Sequence, residues 1–197
     1  MDAIILTIPD EDILTDDELF RICSANKELR IERDELGQLI IMPLAGSLSS
    51  NKNFILNSLF GIWVESHPHL GVGFDSSGGF ILPDRSMRSP DAAWIKKERW
   101  ETLTLTAQEK FAPICPDFII ELRSKSDSLN ELKRKMEKWI SNGCLLAWLI
   151  DPMKKKAYIY KPTTPVLEVI GFDKKLSGEN VLPGFELDLK RLFVSLI

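Results

Sequence analysis

The chain has 197 residues, 44% hydrophobic and 27% charged, with a formal charge of −4 and a pI near 5.3. These values exclude a disordered or fibrous protein and a broadly basic surface, so any nucleic-acid site has to be a local patch. The length suits one domain, 1–197, that buries roughly two-thirds of its unfolded surface and needs no staples.

Thr15 and Glu18 stand in capping-box spacing and predict a helix that stops near Asn26. The stretch "ELRIERDELGQLIIMPLAG" alternates around Glu35-Leu36-Gly37 and predicts a hairpin. From Ser47 to Val64 the apolar residues Leu48, Ile55, Leu56, Leu59, Phe60, Trp63 and Val64 recur at helical spacing, giving a long amphipathic helix on a sheet. A second hairpin is expected around Asp75-Ser76-Ser77-Gly78-Gly79, followed by a strand in "RSPDAAWIKK". Residues 96–115 are polar and irregular. "CPDFIIELRSKSD" reads as another strand, and a second capping box, Ser128 with Glu131, opens a helix whose face is Leu129, Leu132, Met136, Trp139 and Ile140 and whose stop is Gly143. "LLAWLID" is a fully buried strand, "KAYIYKP" and "VLEVIG" are antiparallel strands beyond it, and the tail closes with a turn and a short amphipathic element. The strand–helix–strand succession from Asp117 to Ile150 is long enough for a parallel crossover, while the hairpins are antiparallel. The fold class is therefore α/β: a mixed sheet with helices on its faces.

Cys23, Cys115 and Cys144 are an odd number without zinc-knuckle or redox spacing, and read as small buried residues in a reducing, cytoplasmic compartment. The longest strongly apolar run, "CLLAWLI", is too short to cross a bilayer. The N-terminus lacks a signal-peptide pattern.

The carboxylates carry the chemistry. Glu121 lies among Ile119, Ile120 and Leu122, where an ionised group is costly unless a cation or several donors offset its desolvation. If its strand neighbours that of Asp91, the two carboxylates and a backbone carbonyl, that of Leu122, suit a hard divalent ion, Mg2+ or Mn2+, with substrate phosphate completing the shell. Such an ion stabilises charge on a transferring phosphoryl group and activates a water.

"SPDAAWI", "PDFIIELRSKSDSLNELKRKMEKWISNGCLLAWLIDP" and "LSGENVLPGFELDL" together resemble the bacterial Uma-two family of restriction endonuclease-like proteins, within the PD-(D/E)xK phosphodiesterase superfamily. The resemblance runs from about Thr15 to the C-terminus, and the order of the motifs carries it. It implies a restriction endonuclease-like core, a metal-dependent nuclease acting on DNA and, by analogy with enzymes that cut both strands, a homodimer. By position, Asp91 is the aspartate of the Pro-Asp motif and Glu121 the acidic residue of the second motif. Arg123 stands where the family pattern has lysine, and arginine cannot serve as a general base. The replacement ranked first is Lys135, because the resemblance implies a lysine on the helix after the second motif, four residues before an aromatic, here Trp139; on a helical wheel it lies about 100° from Met136, at the edge of the apolar stripe. Lys133 flanks the other edge, and Arg123 ranks second. Ser124, Lys125 and Ser126 follow the second motif, and Asn53 on the long helix lines the same cleft.

Blander readings stand beside these. Asp91 can cap a turn, Glu121 can pair with Arg123 or Arg88, and the lysines of residues 133–138 and 154–156 can be solvated faces. His67 and His69 read as a turn after the long helix, and Trp94 and Trp100 as core or interface residues. The competing function is a non-catalytic nucleic-acid-binding or assembly protein on a nuclease scaffold.

Overall fold

The computed structural model describes residues 3–9 and 13–192. Strand β1 (Ile4–Leu6) precedes helix α1 (Asp16–Ala25), which opens on the expected capping box: Thr15 Oγ1 accepts from the Glu18 N–H at 3.3 Å and Glu18 Oε2 from the Thr15 N–H at 2.9 Å. The first hairpin forms as expected from β2 (Arg30–Arg33) and β3 (Leu39–Met42). Gly37 sits in its turn at φ 83°, a conformation that glycine adopts without strain. Next come α2 (Ser47–Ser66), β4 (Gly71–Asp75), β5 (Phe80–Ile81), β6 (Met87–Arg88) and β7 (Ala92–Lys96). Short helices α3 (Lys97–Trp100) and α4 (Leu105–Gln108) lead to β8 (Phe118–Leu122), α5 (Leu129–Ser141), β9 (Leu146–Asp151), β10 (Lys156–Tyr160) and β11 (Leu167–Ile170). The tail forms a ribbon of β12 (Lys175–Ser177) and β13 (Glu186–Asp188) and a 3-10 turn, Leu189–Leu192.

The strands make two principal sheets. The larger runs β11-β10-β9-β8-β7-β4 and is mixed: α5 carries the chain from β8 to a parallel β9, and the other pairs are antiparallel. The second, β1-β3-β2-β6-β5, is antiparallel throughout. The hairpin expected across residues 75–79 does not form. β4 pairs with β7, and β5 pairs with β6 in the other sheet, so the glycine-rich turn moves the chain between sheets. Packing decides this. A Cβ on Gly71 would run into the Ile95 carbonyl and the Trp94 ring, so β4 lies against β7 as only glycine permits, while Phe80 turns edge-on to Phe74, centroids 5.3 Å apart.

Helices cover both faces of the larger sheet. On one, Leu56, Phe60 and Trp63 of α2 pack with Trp94, Phe118, Ile120 and Trp148, and the tail's Leu182, Phe185 and Leu187 complete the cluster. On the other, Met136 and Trp139 of α5 pack with Ala93, Ile95, Ile119, Ala147 and Leu149. Strand alternation then decides a functional matter. With Phe118 and Ile120 on the α2 side and Ile119 on the α5 side, Glu121 falls on the α5 side.

Candidate active site

The β7–β8 ladder ends on Ala92 opposite Ile120, so one further step sets Asp91 opposite Glu121. Directly opposed residues on antiparallel strands carry their side chains on one face, with Cβ atoms roughly 5 Å apart. Asp91 Oδ2 accepts the Leu122 N–H at 2.7 Å and Oδ1 accepts Asn53 Nδ2 at 3.1 Å. Asn57, one turn further along α2, donates to the Asp91 carbonyl at 3.1 Å and to Asn53 Oδ1 at 2.8 Å. Two amides thus pin α2 to the Pro-Asp motif. Asn53 reaches the cleft as read from sequence; Asn57 went unnoticed, although its i, i+4 relation to Asn53 was there to be used.

Glu121, 5% exposed, accepts from two side chains one turn apart on α5: Lys135 Nζ lies 2.8 Å and Trp139 Nε1 3.3 Å from Oε1. Lys135 Nζ also donates to Glu32 Oε1, at 2.9 Å. Glu32 belongs to β2 in the other sheet and is 2% exposed. It takes the Ser89 N–H on Oε1 at 3.0 Å and Arg88 Nη1 on Oε2 at 3.1 Å. Near the hairpin turn Glu35 meets Lys138 at 2.6 Å and Arg88 at 3.6 Å. The chain of charges Arg88–Glu32–Lys135–Glu121 therefore joins the two sheets. Sequence reading missed Glu32 because a charged residue in a hairpin strand normally marks the solvent face, and its partner lies 103 positions away.

Arg123 is engaged elsewhere. Its Nη1 donates to the fully buried Asp151 at 2.8 Å and its Nε to the Asp127 carbonyl at 3.1 Å. Leu122 meets the Asp91 carboxylate through its N–H. Lys133 stands 4.2 Å over the Tyr158 ring, and Ser124 and Ser126 face each other across a turn at 3.0 Å. Trp94 is core, 1% exposed, and Trp100 packs on Phe74. His67 accepts the turn reading: its ring stacks on Trp63 and its Nδ1 lies 2.8 Å from the Trp63 carbonyl. A cavity of about 210 Å³ opens beside Leu122 and Arg123, bounded also by Leu48, Ser49, Lys52, Lys125, Pro152 and Met153. Three of those eight residues are cationic and none is acidic.

Burial pushes both opposed carboxyls above the ordinary carboxylate range. For Asp91 the Leu122 N–H, Arg30 and Lys135 only partly offset it. For Glu121 burial outweighs Lys135, Asp91 and Glu32 add repulsion, and the pKa rises to about 7. Burial also acts on Glu32, but Lys135 and Arg88 more than offset it and hold it at about 2. Lys135 loses by burial and gains more from Glu121 and Glu32, so it is held firmly protonated.

The donors at this point are hard oxygens from two carboxylates, with no cysteine or histidine among the side chains that meet them. Among the described residues no group of three or more His, Cys, Asp or Glu could hold a metal ion by itself. That pattern fits magnesium, which takes one or two carboxylates and completes its shell with water and substrate phosphate, and does not fit zinc. The raised Glu121 pKa has a consequence for ion binding. A carboxyl titrating at about 7 in the folded chain and 4.5 ordinarily contributes stability below 4.5 that is lost as pH rises through about 7, whereas an ion binds only the deprotonated form. If the pair holds magnesium, the rise in Tm on adding the ion is therefore expected to grow as pH rises from about 6 to about 8, which thermal denaturation at several pH values measures.

The Uma2 family, described as "Putative restriction endonuclease", matches residues 16–190. No curated protein matches the chain. Among solved structures, a "putative nuclease belonging to DUF820" from Anabaena variabilis superposes with a TM-score of 0.77 at 21% identity, covering 93% of this chain and 99% of that one, which shows a shared fold. The match spans nearly the whole chain, through both motifs and the helix that follows them, and the chain belongs to the Uma2 family.

Proposed function

We propose that the protein is a magnesium-dependent endonuclease that hydrolyses DNA phosphodiester bonds, with Asp91 and Glu121 as metal ligands, the Leu122 carbonyl beside them and Lys135 as the site's cation. The observation that carries this reading is the register that opposes Asp91 to Glu121 with Lys135 Nζ 2.8 Å from Glu121 Oε1. A divalent ion bound there supplies charge neutralisation at the phosphoryl group and activation of a water. The chain's own residues do the rest. Asn53 and the Leu122 N–H fix the Asp91 carboxylate, Trp139 Nε1 orients Glu121, and Lys135 keeps a positive charge at the point where the phosphate becomes more negative. Lys52 and Lys125, on the wall of the adjacent cavity, give the local basic surface along which a DNA backbone can run in a chain of net charge −4. Free, mostly buried cysteines suit a reducing cytoplasm, and a homodimer follows from the analogy with enzymes that cut both strands.

One observation favours the competing reading of a DNA-binding protein without catalysis: Arg123, in place of the family's lysine, is committed to Asp151. Supercoiled plasmid decides between them. With magnesium or manganese the wild type is expected to nick or linearise it, chelator to stop the reaction, and Asp91→Ala and Glu121→Ala to lower the rate at least ~100-fold. Cleavage that survives both substitutions removes the proposed site. Binding without cleavage on varied substrates supports the competitor.

A further inference from the structure

We infer that Glu32 is the positioning residue of this site: it holds the Lys135 ammonium beside the Asp91–Glu121 pair and ties the segment carrying Asp91 to the same point. What Lys135 then does rests on the nuclease reading; what Glu32 holds rests on geometry.

A carboxylate 2% exposed on a strand survives only if donors surround it, and Glu32 has three. Two of them belong to the site. Lys135 Nζ reaches Glu32 Oε1 from α5 at 2.9 Å, and the same oxygen takes the N–H of Ser89, two residues before Asp91, at 3.0 Å. Arg88 holds the other oxygen at 3.1 Å, so the carboxylate cannot rotate away without losing an ion pair. Lys135 has two carboxylate partners, Glu32 and Glu121, and they differ in what else they serve. Any cation drawn to Asp91 and Glu121 competes with Lys135 for Glu121. Glu32, anchored from the other sheet, is the partner that remains. Without it, a flexible four-carbon stem has nothing to hold its charge at the strand ends.

The test uses the full chain with Glu32→Gln, Lys135→Ala and the double variant, assayed for plasmid nicking with magnesium. Glutamine keeps the shape and can still accept from Ser89 on its single carbonyl oxygen, but it gives up the acceptor facing Arg88 and removes the charge that faces Lys135. Glu32→Gln is expected to lower kcat about 10–100-fold with KM within about threefold, as loss of a residue that orients a site residue does. The double variant is expected to be no slower than Lys135→Ala, because Glu32 acts through that lysine. The magnesium-dependent rise in Tm is expected to persist in Glu32→Gln and to vanish in Glu121→Ala. An unchanged kcat, additive losses in the double variant, or loss of the magnesium effect in Glu32→Gln would each overturn the inference, the last by making Glu32 a ligand. If the wild type cuts no DNA, the nuclease reading fails separately, and the NMR signal of the Lys135 ammonium decides the placement. A slowly exchanging signal present in wild type and lost in Glu32→Gln supports it; one kept in both overturns it. Should Glu32→Gln fail to fold, Glu32→Asp keeps the charge one methylene shorter and is expected to fold with reduced kcat; wild-type kcat in that variant overturns the inference.

Discussion

Lys135→Ala is expected to lower the free energy of unfolding by about 3–5 kcal/mol near neutral pH, besides removing most DNA cleavage. Lys135 is the shared cation of two buried carboxylates, Glu32 at 2.9 Å and Glu121 at 2.8 Å, whose side chains are 3% and 7% exposed. Alanine leaves the Glu32 charge behind in a region from which water is largely excluded and pushes Glu121, already raised to about 7, further towards its neutral form, and breaking a buried pair by removing one partner costs far more than the pair contributes when whole. For a domain of this size the loss corresponds to a fall in Tm of roughly 6–20 °C. The pH dependence separates this cause from simple loss of packing. Glu32 titrates at about 2 in the wild type, so it contributes stability above 4.5 that is lost only as pH falls towards 2, and Lys135 heads the cations responsible. Without Lys135 both carboxyls can be protonated in mild acid. The deficit of the variant against wild type is thus expected to shrink between about pH 7.5 and about pH 5 in urea titrations. A deficit that stays constant across that range would point to packing.

The second large effect is expected at Arg123, and it falls on stability. Arg123→Ala strands the carboxylate of Asp151, which is 0% exposed and keeps only the N–H groups of Met153 at 3.0 Å and Lys154 at 3.2 Å. The expected loss is about 3 kcal/mol, the lower end for a broken buried pair because those two donors remain. Arg123→Lys is the more telling change, since it restores the acidic-x-Lys spelling of the superfamily at positions 121–123. Arginine here donates in two directions, Nη1 to Asp151 and Nε to the Asp127 carbonyl, and a single ammonium cannot do both. The variant is expected to lose about 1 kcal/mol through the Asp127 bond while its cleavage rate per folded molecule stays within about threefold of wild type. A gain in rate at unchanged stability would show that position 123 is the catalytic cation after all, and would move Lys135 to second place.

The architecture was legible wherever local rules decide it. The Thr15–Glu18 capping box, the alternation in β2 and β3, the apolar face of α5 with its stop at Gly143, and the unbroken apolar run of β9 all form where their spacing places them, while the expected second box is reduced to a one-way cap, Ser128 Oγ accepting the Glu131 N–H. The motif order that resembles the family points to Asp91 and Glu121, which the register sets opposite each other, and the lysine that similar proteins carry four residues before an aromatic points to Lys135, which meets Glu121. What stayed hidden depends on contacts between distant segments. The chain leaves one sheet for the other after Asp75 because β4 finds β7 across a glycine. Glu32 is buried because the other sheet docks against α5, and Arg123 turns to Asp151 because β9 lies parallel beside β8. None of these choices leaves a trace within a window of ten residues.

The link between Glu32 and Lys135 also bears on how the molecule gains and loses competence. The contact joins segments 103 positions apart, so it depends on the two sheets being docked and not on any local element. The tryptophans of the interior belong to the larger sheet and its helices, Trp94 and Trp148 on the α2 side and Trp139 on α5, and would not need the hairpin sheet to stay packed. Undocking would release Lys135 and the segment leading to Asp91 together, since Glu32 holds both. On the nuclease reading, undocking of the hairpin sheet would therefore disable the site while the interior of the larger sheet stayed closed.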